Sequence, residues 1–301
     1  MTVSKGRILQ LQRYSVNDGD GIRTTIFFAG CPLRCRWCAN PEGYERKNRI
    51  MYIASRCIQC GHCETVCPKG IGIDLSDEMN RLQCDGCGLC ADECPTNARK
   101  RTVTDMTVAD IMKALESHAL FFRNSGGGVT YSGGECTAQP EFLDELTEAV
   151  YDRGFDQAME TSAYFDLDRV QHILDRIELL FTDIKHMDLD MHKRWTGVDN
   201  ERILSNIAAI GAKRRGMVVR VPTIIGINGD DDNIRRTAQF VKKHLQDPCM
   251  ELLPYHPYGE DKYTQLGMPY DSDCFRTPDA EELRHLNGII ESEGVRVVSY
   301  K

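Results

Sequence analysis

The sequence predicts an α/β protein: a barrel-like, largely parallel sheet with a small cysteine-rich segment set into it. Three observations predict this. From residue 104 onward strand-like runs alternate with helical ones, the pattern of a parallel sheet. Polar and glycine-rich stretches recur at the ends of those strands, as in barrels whose active site occupies the C-terminal face. Eleven of the fourteen cysteines fall between Cys31 and Cys94, so the first third of the chain carries a second kind of structure. The expected division is a barrel over 1–47 and 103–301 and a separate small domain over 48–102.

In chain order, Arg7–Tyr14 alternates apolar and polar residues as a strand does. Asn17-Asp18-Gly19-Asp20-Gly21 is a polar turn. Ile22–Ala29 is β-branched and aromatic, a buried strand that delivers the chain to Cys31. The loop that follows spaces Cys31, Cys35 and Cys38 as C-x3-C-x2-C. A [4Fe–4S] cluster takes four thiolates, one per iron. Three cysteines within eight residues grip three irons and leave the fourth open for chemistry.

Residues 48–102 hold a different pattern. Cys57-x2-Cys60-x2-Cys63-x3-Cys67-Pro68 recurs 27 residues later as Cys84-x2-Cys87-x2-Cys90-x3-Cys94-Pro95. Each run is the bacterial ferredoxin pattern, in which the fourth cysteine ligates the other cluster. Cys57, Cys60, Cys63 and Cys94 are therefore assigned to one cluster, and Cys84, Cys87, Cys90 and Cys67 to the other. Two four-cysteine zinc sites are the alternative; a run of four cysteines ending in Cys-Pro, given twice, favours clusters. The segment is poor in large apolar residues, so its clusters would supply much of its folding energy.

Beyond it, Thr107–His118 is an amphipathic helix with Thr107 or Thr104 as cap. Gly126–Glu135 reads as a strand and a glycine-rich turn, Pro140–Arg153 as a helix, and Asp156–Ser162 as a strand. Helix Leu167–Ile177 and strand Glu178–Lys185 follow, then helix Asn200–Lys213 and strand Met217–Pro222. The last elements expected are helix Asp232–His244, strand Met250–His256, helix Thr277–Glu293 and strand Val295–Tyr300.

Net charge of −8 over 301 residues gives no reason to expect nucleic acid as a partner. No apolar run approaches the ~18–20 residues of a membrane span. The stretch Met1–Arg7 has no apolar signal core. A cytoplasmic protein is expected, in which this many cysteines act as metal or cluster ligands rather than disulfides.

Each candidate site residue has a plainer reading beside it. Gly133-Gly134-Glu135 is either a tight turn or a place where bared amides or Glu135 hold a ligand's amino or carboxylate group. Asp183-Ile184-Lys185 is either a surface ion pair of little worth or, after the apolar Leu179-Leu180-Phe181, a partly buried pair at the barrel mouth. His256 is either structural or contacts a nucleoside beside Tyr255 and Tyr258. Arg220 can pair with a carboxylate. Glu160-Thr161 offers oxygens to an amino group or a small cation. Cys136, Cys249 and Cys274 are expected as small buried hydrophobes, and His186 and His192 are given no role.

Taken in order, these stretches resemble the radical S-adenosylmethionine (SAM) enzymes, and among them the activating enzymes of glycyl radical enzymes. The resemblance rests on Asp18–Thr24, Gly30–Glu42, Phe121–Thr130, Ser132–Glu135, Asp183–Lys185 and Leu253–His256, and spans nearly the whole chain. It implies a partial (β/α)6 TIM-like barrel carrying an inserted ferredoxin-like domain with two [4Fe–4S] clusters. It implies an oxidoreductase with three clusters in all, SAM as cosubstrate, and a monovalent cation. SAM would bind the open iron held by Cys31, Cys35 and Cys38. Trp37 would lie near the adenine, Gly134 would meet the amino group, Asp183 and Lys185 the carboxylate and ribose, and His256 the nucleoside. Ala39, Glu135, Thr161 and Ile184 complete the implied contacts. The resulting 5′-deoxyadenosyl radical would take hydrogen from a backbone glycine of a partner enzyme. A flavodoxin or ferredoxin would donate electrons to what is expected to be a monomer.

Two positions depart from the family pattern: Cys136 follows Glu135 where proline is frequent, and Ala163 stands where glycine is common. The insert narrows the partner. The pyruvate formate-lyase activator lacks it, whereas activators of dehydratases, decarboxylases and C–N or C–S lyases carry it. Two other readings compete: a radical SAM enzyme acting on a small molecule with the insert as electron relay, and a pure electron carrier with three clusters. The strand-end sites beyond residue 125 argue against the last.

Overall fold

The computed structural model describes residues 4–270 and 272–300; the first three residues of the stretch examined for a signal core lie outside it. Eleven strands follow in chain order: β1 (Lys5–Ser15), β2 (Arg23–Phe28), β3 (Ile50–Tyr52), β4 (Arg99–Arg101), β5 (Thr104–Thr107), β6 (Gly128–Gly133), β7 (Asp156–Thr161), β8 (Leu179–Asp183), β9 (Met217–Thr223), β10 (Cys249–Pro254) and β11 (Arg296–Val297). Nine form one sheet in the order β11-β10-β9-β8-β7-β6-β2-β1-β5, and β3 pairs with β4 in a second.

From β2 through β11 each neighbour runs parallel. Six full-length parallel strands with helices between them make the partial barrel, and the two-residue β11 trails the sixth. It is shorter than the strand expected over Val295–Tyr300. The first strand departs from the parallel pattern: β1 runs antiparallel to β2, and β5 antiparallel to β1. A short turn joins β1 directly to β2, and without a crossover only antiparallel pairing is open to it.

The helices pack one apolar face on the sheet. Val108–Glu116 begins with a capping box in which Thr107 and Asp110 exchange bonds, and it buries Ile111, Met112 and Leu115; Thr104 belongs to β5. Pro140–Asp152 and Asp231–His244 bury Leu143, Leu146, Val150, Ile234, Ala238 and Val241 into the same core. The sequence pattern shows none of the three short barrel helices Ala119–Ser125, Leu189–Thr196 and Glu260–Leu266, nor the three of the insert, His62–Thr65, Glu78–Gln83 and Leu89–Asp92. Each spans eight residues or fewer, too short a stretch to show a helical period.

Arg23 staples the base of the barrel. Its fully buried guanidinium donates to Thr130 Oγ1 at 2.7 Å and to the Val129 carbonyl at 2.9 Å, and pairs with Asp156 at 2.7 Å. The Asp18 carboxylate accepts from the Ser15 and Thr25 hydroxyls. The Asp18–Thr24 stretch thus locks β2, β6 and β7 together at the end opposite the cysteine loop.

The insert shows its repeat in the backbone. Gly61 and Gly88, 27 residues apart, both adopt positive φ (79° and 89°) and start one-turn helices, His62–Thr65 and Leu89–Asp92. Cys57 N–H donates to Ala54, and Cys84 N–H to Arg81, again 27 apart. Asn48 clasps the two ends of the insert, accepting from the Thr102 and Val103 N–H groups at 3.0 and 3.2 Å. Arg49 and Arg81 tie it to the barrel by donating to the carbonyls of Leu266 (3.0 Å) and Gln265 (3.1 Å), at the end of helix Glu260–Leu266.

Candidate active site

The loop after β2 is held from three sides. The Gly30 N–H donates to Gly43 O at 2.9 Å, and the Glu135 N–H to Gly30 O at 2.8 Å. The N–H groups of Arg34 and Arg36 donate to the carbonyls of Thr196 (2.7 Å) and Trp195 (3.0 Å), at the end of helix Leu189–Thr196. Tyr44 OH donates to Cys35 O at 2.8 Å, and Tyr263 OH to Cys38 O at 3.1 Å. Lys262 reaches Asn40 Oδ1 and Glu42 Oε1 at 2.8 and 2.6 Å. Helix Glu260–Leu266 therefore touches both the insert and the cysteine loop.

Cys31, Cys35 and Cys38 open onto a cavity of about 370 Å³ at the C-terminal ends of the parallel strands, within the size range of small-molecule sites. Trp37, Ala39, Gly134, Thr161, Asp183, Lys185 and His256 line the same cavity. Two of the expected residues do not. The Glu135 carboxylate is buried and spent within the protein: Oε1 accepts from the Thr137 and Thr161 hydroxyls (2.8 Å each), and Oε2 from Ser162 N–H (2.9 Å) and its hydroxyl (2.6 Å). Ile184 packs into the main core, and its N–H donates to Arg220 O. The sequence signal for both was adjacency to a neighbour that does face the cavity. Gly134 is where a side chain would not fit, since a Cβ would lie 2.5 Å from Gly43 O and 2.6 Å from Gly30 O.

Lys185 Nζ sits 2.8 Å from Asp183 Oδ2. Burial works against the lysine's charge, but Asp183 and the sulfurs of Cys35 and Cys31 hold its pKa above the ordinary lysine value. Burial pushes the Cys35 thiol up to about 12 and raises Cys31 and Cys38 as well. Iron must displace those protons, and the Lys185 ammonium favours the resulting thiolate at Cys35. Trp37 is buried 6.4 Å from Trp195, and His256 stacks on Tyr258 at 4.5 Å between ring centroids.

The cavity floor carries a group that sequence reasoning only half found. Arg220 donates to Glu251 Oε2 at 2.8 Å and to Glu160 Oε1 at 2.5 Å, with its guanidinium 3.5 Å from the Phe181 ring centroid. Ser132 donates to the other Glu160 oxygen at 2.5 Å. Asn40, Ser132 and Glu160 all line the cavity.

In the insert, Cys94 of the second run lies with Cys57, Cys60 and Cys63 of the first around one cavity. Cys67, Cys84 and Cys90 pack beside them on a small core of Ile50, Tyr52, Ile71 and Leu75. Cys87 is exposed. All eleven cysteines are unbridged among the described residues, as cluster ligands must be. Outside these groups Cys136 and Cys249 are buried, but Cys274 is exposed, contrary to expectation; it sits in a short turn before the last long helix, with no core above it.

His186 and His192 do have work, though not at a ligand; His192 Nδ1 lies 2.7 Å from the Val198 carbonyl just past the helix Leu189–Thr196. His186 Nδ1 accepts the Asp188 N–H at 2.9 Å, and Asp188 caps helix Leu189–Thr196. Burial lowers the His186 pKa. The folded state therefore binds fewer protons than the unfolded one, so this contribution is complete above the free value of about 6.5 and is lost as pH falls below it. Amide protection in Leu189–Thr196 is expected to drop between pH 7.5 and 5.5. The drop should vanish in His186→Gln; an equal drop in that variant would remove His186 from the account.

Residues 81–241 match the radical SAM superfamily, and residues 49–95 match a 4Fe-4S dicluster domain. The chain is 36% identical over 98% of its length, and 97% of the relative's, to the indoleacetate decarboxylase activating enzyme of Tractidigestivibacter scatoligenes. It is 37% identical to the choline trimethylamine-lyase activating enzyme of Oleidesulfovibrio alaskensis, covering 90% of each. To the (2S)-3-sulfopropanediol dehydratase activating enzyme of Klebsiella oxytoca it is 36% identical, covering 88% and 86%. Among solved structures, Streptococcus suis SuiB bound to its precursor peptide shares the fold at 12% identity and a TM-score of 0.52, over 89% of this chain and 45% of that one.

Proposed function

Because the chain belongs to the glycyl radical enzyme activating enzymes of the radical SAM superfamily, we propose that the cavity beside Cys31 is where it binds SAM. It uses iron–sulfur chemistry and SAM to activate a partner glycyl radical enzyme. When bound, cluster and SAM together supply a 5′-deoxyadenosyl radical that takes hydrogen from a backbone glycine of that partner. The observation that carries the site reading is convergence: three cysteines, Gly134, Asp183, Lys185 and His256, drawn from the ends of four different strands, share one cavity.

The chain's own residues then have distinct tasks. Cys31, Cys35 and Cys38 would hold the cluster by three thiolates, which leaves one of its irons for SAM. The Gly134 backbone admits SAM's amino group, Lys185 pairs with its carboxylate, and Trp37, Ala39 and His256 flank the nucleoside. Thr161 forms part of the wall, and Glu135 fixes the Thr161-Ser162 turn from behind. A monovalent cation would draw on Thr161 and Asp183 oxygens, Glu160 being committed to Arg220 and Ser132.

The insert, as a domain over 48–102, takes two further clusters, one on Cys57, Cys60, Cys63 and Cys94 and one on Cys84, Cys87, Cys90 and Cys67. Its ties to helix Glu260–Leu266, and that helix's bonds to the Cys38 loop, support a relay from a flavodoxin or ferredoxin to the cluster at Cys31. The partner is a glycyl radical dehydratase, decarboxylase or C–N or C–S lyase, as the relatives' partners are. The protein acts as a monomer in the cytoplasm; among the described residues no helix is long and apolar enough to cross a membrane.

The test is direct. Reduced, cluster-loaded protein mixed with SAM and a candidate partner should give a glycine-centred EPR doublet on the partner. SAM cleavage without that doublet, for every glycyl radical protein encoded beside this chain, would favour a small-molecule substrate.

A further inference from the structure

We propose that Arg99 is a fixed positive charge set between the two clusters of the insert, where it raises their reduction potential. The inference rests on the reading that the insert holds two clusters, and goes beyond it in giving them a tuning residue.

Arg99 lies in β4 opposite Tyr52 of β3, and is 3% exposed. A guanidinium is rarely buried without an anion, because desolvation of the charge must be compensated. Among the described residues no carboxylate pairs with it. One terminal nitrogen donates to the carbonyls of Gly72 (2.6 Å) and Ile73 (2.7 Å), and the guanidinium lies 5.9 Å from the Tyr52 ring centroid. Its Nε is sealed from solvent and has no hydrogen-bond partner. That side chain lines the cavity shared by Cys57, Cys60, Cys63 and Cys94, and also lies against Cys90 of the other set. The missing anion and the missing acceptor are supplied together by thiolate and sulfide sulfur.

The electrostatic consequence has one sign. A [4Fe–4S] core with four thiolates gains one negative charge when a reductant passes it one electron; no bond forms or breaks and no proton moves. A buried cation beside it stabilises the reduced form more than the oxidised one, and a donated hydrogen bond to sulfur acts in the same direction. Arginine suits the place because one terminal nitrogen holds two carbonyls while Nε is left for sulfur.

The test uses the full chain with Cys31, Cys35 and Cys38 replaced by alanine, so that only the insert reports. EPR-monitored titration with a chemical reductant is compared between this protein and the same protein carrying Arg99→Gln. At matched iron and sulfide content, Arg99→Gln should lower the reduced-to-oxidised ratio at fixed potential by about tenfold, which is about 59 mV for a one-electron couple. An unchanged midpoint overturns the proposal. If Arg99→Gln loses iron, pulsed EPR of the reduced parent grown on 15N-arginine decides. A nitrogen coupling at the insert clusters that disappears in Arg99→Lys supports the proposal, and no coupling overturns it. A parent with no insert clusters at all overturns the cluster reading, and this inference with it.

Discussion

Replacing Cys31, Cys35 and Cys38 together by alanine should abolish SAM cleavage and lower bound iron by about four atoms per chain, one cluster's worth. The same protein should keep the iron of the insert, since the eleven cysteines fall into spatially separate groups. Replacing Cys57 and Cys60 should do the reverse: SAM still binds, and reduction by a flavodoxin or ferredoxin slows. Iron analysis and 5′-deoxyadenosine assay distinguish the outcomes. Retention of cleavage in the triple variant would mean that the open iron lies elsewhere, and loss of all iron would mean that the two regions fold as one. The loop is expected to survive without its metal because its backbone is held by Gly43, Thr196, Trp195, Tyr44 and Tyr263 rather than by sulfur.

The second large effect is expected at Arg220. It is 5% exposed and serves two carboxylates at once, Glu160 and Glu251, the latter also accepting the Tyr300 N–H at 2.8 Å. Arg220→Met leaves the buried Glu251, and Glu160 at the cavity wall, without a cation, a change that costs about 3–5 kcal/mol when one partner of a buried pair is removed. Unfolding in denaturant should show that loss. SAM binding should weaken too, because Glu160 lines the cavity and Arg220 keeps it in place. Arg220→Lys restores the charge but not the two-pronged geometry, and should recover only part. A melting curve for Arg220→Met superimposable on the wild type would show that the pair contributes nothing.

What was legible in the sequence was whatever had a short period or a fixed spacing. Alternation of strands and helices gave the parallel sheet, and the 27-residue repeat of cysteines has its counterpart in Gly61 and Gly88. The strand-end residues Gly134, Asp183, Lys185 and His256 were found because polar groups there interrupt otherwise apolar runs, and chain direction in a parallel sheet brings all such ends to one face. Contacts between distant segments were not legible. That Tyr44 and Tyr263 grip the cysteine loop, or that Arg220 reaches both Glu160 and Glu251, depends on strand register and helix placement that no local pattern encodes. Glu135 shows the opposite failure. It stands beside Gly134 in sequence, yet turns its carboxylate into the protein, where five donors from Thr137, Thr161 and Ser162 consume it. Asp18–Thr24 belongs to the stretches that carried the family resemblance and nevertheless lies at the opposite end of the barrel, where Arg23 does structural work.

The central claim is that this chain removes a hydrogen atom from a backbone glycine of another protein. The most direct measurement supplies the partner with glycine deuterated at Cα and follows the label by mass spectrometry. The account predicts one deuterium in the 5′-deoxyadenosine formed with the first turnover, in step with the growth of the partner's EPR signal. Deoxyadenosine that carries no deuterium, while the partner becomes active, would contradict it.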